Sequence, residues 1–256
     1  MIDVGTGPPL VIIPGIQGRW EWMRPAVRAL GASRRVITFS LSEIVDGIPD
    51  PDSFFDRGGA FLDRLLDRAG LEAAAFVGVS FGGLLAARYA AHRPNRVSAL
   101  VLVSTPAPRW ALDARRAKYL RRPLRSAPLF AIGGLHRLLP EVIASQPNWW
   151  QRAAVLLPHL SRIVRFPASP RRMAAWGRAW QTAEHGIGGD RISAPTLVVT
   201  GESHLDRVVP QDITLEYMTL IPGARHAVLP RTGHIGLVTR PQAFAELVGR
   251  FLCSCS

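Results

Sequence analysis

Short apolar runs, mostly of β-branched residues, recur along the chain and end in turn-forming residues. Residues 10–13 close at Pro14 and Gly15, and 36–39, 75–79, 99–103, 196–200 and 227–229 repeat the pattern. Runs this short and this apolar predict strands buried on both faces. Between them, helical spacing of apolar positions predicts helices over 22–30, 53–69, 81–92, 211–220 and 241–252. Strands too apolar to face water, alternating with helices, imply an α/β fold with a mostly parallel, doubly wound sheet covered on both sides.

One segment breaks the alternation. Residues 106–189 carry no apolar β-branched run and are rich in Arg, Pro and Trp. They predict an inserted helical lid, with helices around 113–121, 135–144, 148–157 and 169–181 separated by the prolines at 123, 128, 140, 147, 158, 167 and 170. The core is then residues 1–105 and 190–256. No internal repeat or long linker tract interrupts it, so the lid is expected to pack on the sheet.

The chemistry concentrates at strand ends. Gly78-Val79-Ser80-Phe81-Gly82-Gly83 follows an apolar strand and opens a helix, the setting in which G-x-S-x-G makes a nucleophile elbow. A serine projecting from so tight a bend leaves no room for side chains two residues to either side, hence Gly78 and Gly82. A glycine-rich turn that merely packs closely or binds phosphate is the alternative. A serine hydroxyl is a weak nucleophile and needs a base, itself oriented by a carboxylate. Asp206 lies in the loop after the predicted strand 196–200, and His234 in the loop after 227–229. Two loops at one sheet edge can bring them together. Glu202 competes for the acid's place and His226 for the base's, but His226 precedes its strand. His204, His92, His136, His159 and His185 read as loop, surface or packing residues.

These motifs resemble the α/β-hydrolase superfamily, over nearly the whole chain outside the lid. The resemblance rests on the elbow around Ser80, on Gly201 to Pro210 as the Gly-x(n)-Asp-x-x-x-Pro acid loop, and on the Gly233-His234 dipeptide. It implies Ser80, Asp206 and His234 as a catalytic triad. It also implies an oxyanion hole from the backbone N–H groups of Ile16, in the turn Pro14-Gly15-Ile16-Gln17-Gly18, and of Phe81. Pro14 stands where the family usually has His, which affects local geometry and leaves the main-chain donors in place. The leading antiparallel hairpin of the family is largely absent, because only nine residues precede the first clear strand. The family's Asp-x-x-Gly-x-Gly phrase is missing after Phe39.

Ser at position 80, where dehalogenases and epoxide hydrolases of this fold use Asp, disfavours those activities. The implied activity is hydrolysis of a carboxylic ester, or a related acyl bond, of a small to medium, partly apolar substrate through an acyl-enzyme. A triad-based lyase or C–C bond enzyme of the menaquinone-pathway type, and a non-enzymatic receptor or scaffold on the same fold, are the alternatives. No Cys/His cluster has metal spacing and Gly5 to Pro9 is no dinucleotide fingerprint, so no cofactor or metal is expected.

Composition changes this picture at two points. Hydrophobic residues are 48% and charged residues 20%, as in ordinary globular proteins. No apolar run is long enough to span a membrane, and the first nine residues lack a secretory pattern, so a cytoplasmic location is expected. Cys253 and Cys255 read as reduced residues of a frayed tail. The net charge of +12 could suggest nucleic acid, but thirty of the 31 basic residues are Arg, a bias of composition rather than a binding face, and no nucleic-acid partner is expected. The lid is where the charge sits. Residues 106–189 hold thirteen Arg and Lys118 against Asp113, Glu141 and Glu184, so they carry +11 of the +12. This points to an anionic group on the substrate or to contact with an acidic surface. The lid also holds five of the seven tryptophans, Trp110, Trp149, Trp150, Trp176 and Trp180, which would either roof an apolar pocket or anchor the lid. Gln17 is a further candidate contact.

Overall fold

The computed structural model describes residues 1–111, 113–182 and 188–255. Among these residues, seven strands form one sheet in the order β1-β3-β2-β4-β5-β6-β7. They are β1 Ile2–Val4, β2 Pro9–Ile13, β3 Arg35–Thr38, β4 Ala74–Val79, β5 Val97–Val103, β6 Thr196–Thr200 and β7 Arg225–Val228. All neighbours run parallel except β1, which lies antiparallel on β3 with Ile2 opposite Thr38. Of the leading antiparallel hairpin expected to be largely absent, one three-residue strand, β1, is present and pairs with the β3 edge. Three residues suffice to cover the β3 edge, pinned by the Asp3–Arg35 ion pair at 2.7 Å and by the Met1 ammonium on Glu43.

Alternate side chains of the strands feed two cores, as a period of two requires. Leu10, Ile12, Val77, Val101 and Val199 pack with helices α1 (Arg24–Leu30) and α11 (Pro241–Cys253). Val11, Ile13, Phe76, Leu102 and Val198 pack with α2 (Phe54–Arg68) and α3 (Phe81–His92) on the other face. β4 is buried at all six positions. β7 departs from the apolar expectation: it begins two residues earlier and exposes Arg225 and His226, because an edge strand has one open side and a charged residue there blunts further pairing.

Among the described residues, four helices lie between β5 and β6: α4 Ala114–Arg121, α5 Pro123–Ser145, α6 Trp149–Arg165 and α7 Pro170–Thr182. Asp113 caps α4 by accepting from the Arg116 N–H. The prolines expected to separate helices do so only in part. Pro123 and Pro170 open helices, but Pro128 and Pro140 lie inside α5 and Pro158 inside α6. Each removes one intrahelical bond, and at the exposed Pro128 and Pro158 the freed carbonyls can turn to water. Tyr119, Met173, Ala174, Trp176 and Trp180 join the α2–α3 core, so this segment packs on the sheet domain. Short helices α8 (Gln211–Leu215), α9 (Tyr217–Leu220) and α10 (Gly236–Thr239) complete the chain, the first two splitting the single helix expected over 211–220. Among the described residues no helix is long and apolar enough to cross a membrane.

Candidate active site

The ladder between β4 and β5 continues one step past β4, with the Ser80 N–H donating to Val103 O at 2.8 Å. The chain then turns into α3, and Ser80 takes φ +51° and ψ −121°. A non-glycine residue at positive φ is strained and persists only where its surroundings over-determine it. Gly78 and Gly82 supply those surroundings. A Cβ on Gly78 would run into the Gly83 backbone, and one on Gly82 would meet the carbonyls of Ile13 and Pro14 at 2.5 Å. The elbow is therefore pressed against the end of β2, which brings the 14–18 turn to the serine.

Asp206 and His234 meet across the loops after β6 and β7. His234 Nδ1 lies 3.3 Å from Asp206 Oδ2, and both residues are buried, at 8% and 6% exposure. The other carboxylate oxygen, Oδ1, accepts the N–H groups of Val208 and Val209 at 3.0 Å each. Burial alone would push the Asp206 carboxyl up, but the neighbouring His234 ring and these donors outweigh it and hold the carboxyl below its usual value. Burial likewise pushes His234 down. The Asp206 carboxylate and its hydrogen bond, with Glu141 adding to them, more than offset this, and the ring titrates above the ordinary 6.5. Ser80 Oγ makes no hydrogen bond to His234 among the described residues.

The rivals go elsewhere. Glu202 accepts the Arg231 N–H at 2.7 Å and lies 3.6 Å from His204. His226 sits within β7, its Nε2 2.9 Å from the Thr200 hydroxyl. His159 packs edge-on to Trp22, where burial lowers its pKa to about 4. His185 and Glu184 lie outside the described residues.

A pocket of about 110 Å³ opens at Ser80. Ile16 and Phe81 flank the serine on its floor, and Phe81, first residue of α3, carries one of the N–H groups a helix leaves without an internal acceptor. The walls are Pro106, Trp110, Tyr119, Leu120, Phe130, Met173, Gly177, Trp180, Val208 and Val209. Of the five tryptophans expected over the pocket, Trp110 and Trp180 line it, 5.7 Å apart, with Trp180 Nε1 donating to Pro108 O. Trp176 is 2% exposed and anchors on Phe54 and Gly18 instead. Trp149 and Trp150 are corrected: α6 buries none of its residues, and these two are 80% and 46% exposed, off the pocket lining. Gln17 lies beside Gly15 and is not among the lining residues.

Three charged residues of the site escaped sequence reasoning. Arg116 and Arg137 line the pocket. The Arg116 guanidinium stands 4.3 Å from the Trp110 ring centre, donates to Val208 O and pairs with Asp113. Arg137 Nε is buried without a hydrogen-bond partner, and burial lowers the pKa of both guanidiniums. Glu141 of α5 is fully buried behind His234, accepting the Ile235 N–H at 3.0 Å and the Thr239 hydroxyl at 3.2 Å. Burial raises its carboxyl to about 6 against the pull of these donors. Its one visible signal is that it is the single acid in the sequence of α5. Among the described residues no three His, Cys, Asp or Glu side chains gather around a possible ion position.

A family model described as the alpha/beta hydrolase fold matches residues 8–126. The chain is 31% identical over 272 residues to 2-hydroxymuconate semialdehyde hydrolase of a Pseudomonas species, covering 98% of this chain and 88% of that one. It is 30% identical over 271 residues to the polyketide synthase ThaQ of Burkholderia thailandensis, where the match takes 97% of this chain but only 12% of that much longer protein. Among solved structures, the enol-lactonase of Burkholderia xenovorans superposes with a TM-score of 0.74 at 23% identity, covering 98% of this chain and 95% of that one, which bears on the fold alone. With the family model, the near full-length relative and the fold in agreement, the chain belongs to the alpha/beta hydrolase family.

Proposed function

We propose that the protein is a serine hydrolase that cleaves a carboxylic ester or related acyl bond through an acyl-enzyme, with residues 106–189 acting as a lid. The observation that carries this reading is the buried Asp206–His234 pair at the sheet edge where Ser80 stands strained in its elbow. In the proposed reaction Ser80 Oγ attacks the acyl carbon while His234 Nε2 takes its proton. Asp206 keeps the other ring nitrogen protonated and the ring oriented. The N–H groups of Ile16 and Phe81 hold the negative charge that develops on the carbonyl oxygen. His234 returns the proton to the leaving alcohol, and water, activated by the same histidine, releases the acid.

Arg137, a pocket-lining residue whose Nε is buried without a hydrogen-bond partner, supports a substrate bearing an anionic group. The same feature supports, as the second reading, a carbon–carbon bond reaction on a carboxylate substrate by the same triad. Labelling by a fluorophosphonate, lost in Ser80→Ala, tests the nucleophile. A panel of esters of increasing acyl length then separates the readings, since an enzyme restricted to carbon–carbon bonds turns over none of them.

A further inference from the structure

Helices α5 and α6 carry large apolar side chains on their exposed faces as well as toward the rest of the protein. On α6, Trp149 and Val164 are each 80% exposed and Leu157 65%, while Arg152 is taken up by the carbonyls of Ile143, Gln146 and Pro147. A surface helix normally turns a polar face to water. The adjoining α5 does the same: Leu129 and Ile132 are 67% exposed, and Leu135, Leu139 and Ile143 continue the stripe at helical spacing. Apolar surface this continuous marks a binding face rather than an ordinary exterior.

Charge narrows what can cover it. The segment's +11 has little local compensation, since among the described residues Arg116 is its only cation paired with a carboxylate. At the start of α5, Arg122, Arg125 and Arg171 line an open cleft of about 350 Å³ with Pro123 and Leu124, and none of the three pairs with an acid among the described residues. Guanidiniums are suited to two-point contacts with phosphate oxygens. A second copy of the chain would set one basic face against another. An anionic bilayer satisfies both features, taking large apolar side chains into the headgroup–acyl boundary and basic groups at its phosphates.

We propose that the α5–α6 face docks on an anionic membrane surface, with Leu129, Ile132, Leu157 and Val164 entering the interface and Arg122, Arg125 and Arg171 holding lipid phosphates. The proposal does not depend on the reaction assigned to Ser80. It is tested by co-sedimenting the full chain with vesicles of phosphatidylcholine alone or mixed with phosphatidylglycerol, at low and high salt. The chain should pellet with the mixed vesicles at low salt. The fourfold variant Leu129→Ser, Ile132→Ser, Leu157→Ser, Val164→Ser should lower the vesicle partition coefficient by about tenfold or more. Arg122→Gln with Arg125→Gln and Arg171→Gln should remove the preference for phosphatidylglycerol. Because every replaced side chain is exposed or lines an open cleft, an unchanged melting curve certifies the variants' fold. The idea fails if wild type stays in the supernatant, or if the folded serine variant pellets as wild type does. It also fails if the chain is a dimer in solution that the serine variant splits without any vesicle binding, or if it binds an acidic polypeptide but no vesicle.

Discussion

Ser80 is held at φ +51° by glycines whose replacement would drive a Cβ into neighbouring backbone, so its side chain can change while the turn persists. Ser80→Ala should therefore keep the fold and lose turnover by roughly 10⁶ in kcat, the scale seen when one member of a comparable triad is removed. Retention of more than about a tenth of wild-type turnover would exclude Ser80 as nucleophile. Asp206 differs because its two oxygens have two tasks. One faces His234 and the other accepts Val208 and Val209. Asp206→Asn should preserve much of the loop yet cost roughly 10⁴ in kcat by favouring the wrong histidine tautomer. Glu202→Gln, whose carboxylate is engaged with Arg231, should cost far less, and the opposite ranking would move the acid to Glu202. The general base works as the neutral ring, and His234 titrates above 6.5. The acid limb of kcat/KM should therefore have its midpoint above that value.

Elements were legible in proportion to how much their own pattern decides them. The bounds 81–92 for α3 and 196–200 for β6 coincide with the observed Phe81–His92 and Thr196–Thr200, because strong apolar runs and the elbow leave few alternatives. β1 was not, since Ile2–Val4 is held by pairing to β3 and by ion pairs distant in sequence. Nor was the length of α5 and α6, where prolines that stop an isolated helix are tolerated on open faces. The elbow at Ser80 is marked by a strand end and turn glycines, whereas the preference for Asp206 over Glu202 came from the resemblance to the family's acid loop. Glu141 and Arg137 could not be read, since their role depends on which side of α5 meets the His234 loop and the pocket. Glu141 yields a prediction at this scale. Its folded value, about 6, lies above the ordinary 4.5, so it is the protonated form that folding favours. The resulting stabilisation is full below 4.5 and is lost as the pH rises through about 6, a difference of about 2 kcal/mol at about 1.4 kcal/mol per unit. In urea titrations wild type should lose about that much more stability than Glu141→Gln between pH 4.5 and 7. Parallel curves would show that the carboxyl is not responsible. The same variant should move the acid limb of kcat/KM downward, since the Glu141 charge helps raise His234.

At the scale of the whole molecule, charge is divided unevenly, with +11 of +12 on residues 106–189. That field can act on an anionic substrate in two separable ways. Cations spread over the exposed surface attract it from solution, an effect screened over about 8 Å at physiological ionic strength. Arg137 would act at contact, as a pocket-lining residue whose Nε is buried without a hydrogen-bond partner, and salt reaches such a pair much less. Neutral and carboxylate-bearing esters of equal size should then differ in kcat/KM, the anionic one being favoured. Raising the salt should shrink that preference without abolishing it. Arg137→Gln should remove the salt-resistant part and leave the salt-sensitive part, a loss of roughly tenfold if one charge-assisted hydrogen bond worth about 1.5 kcal/mol is broken. Equal kcat/KM for both esters at low salt would dismiss the anionic substrate. A preference that vanishes entirely with salt in wild type would leave Arg137 as a packing residue and assign the whole effect to the surface field.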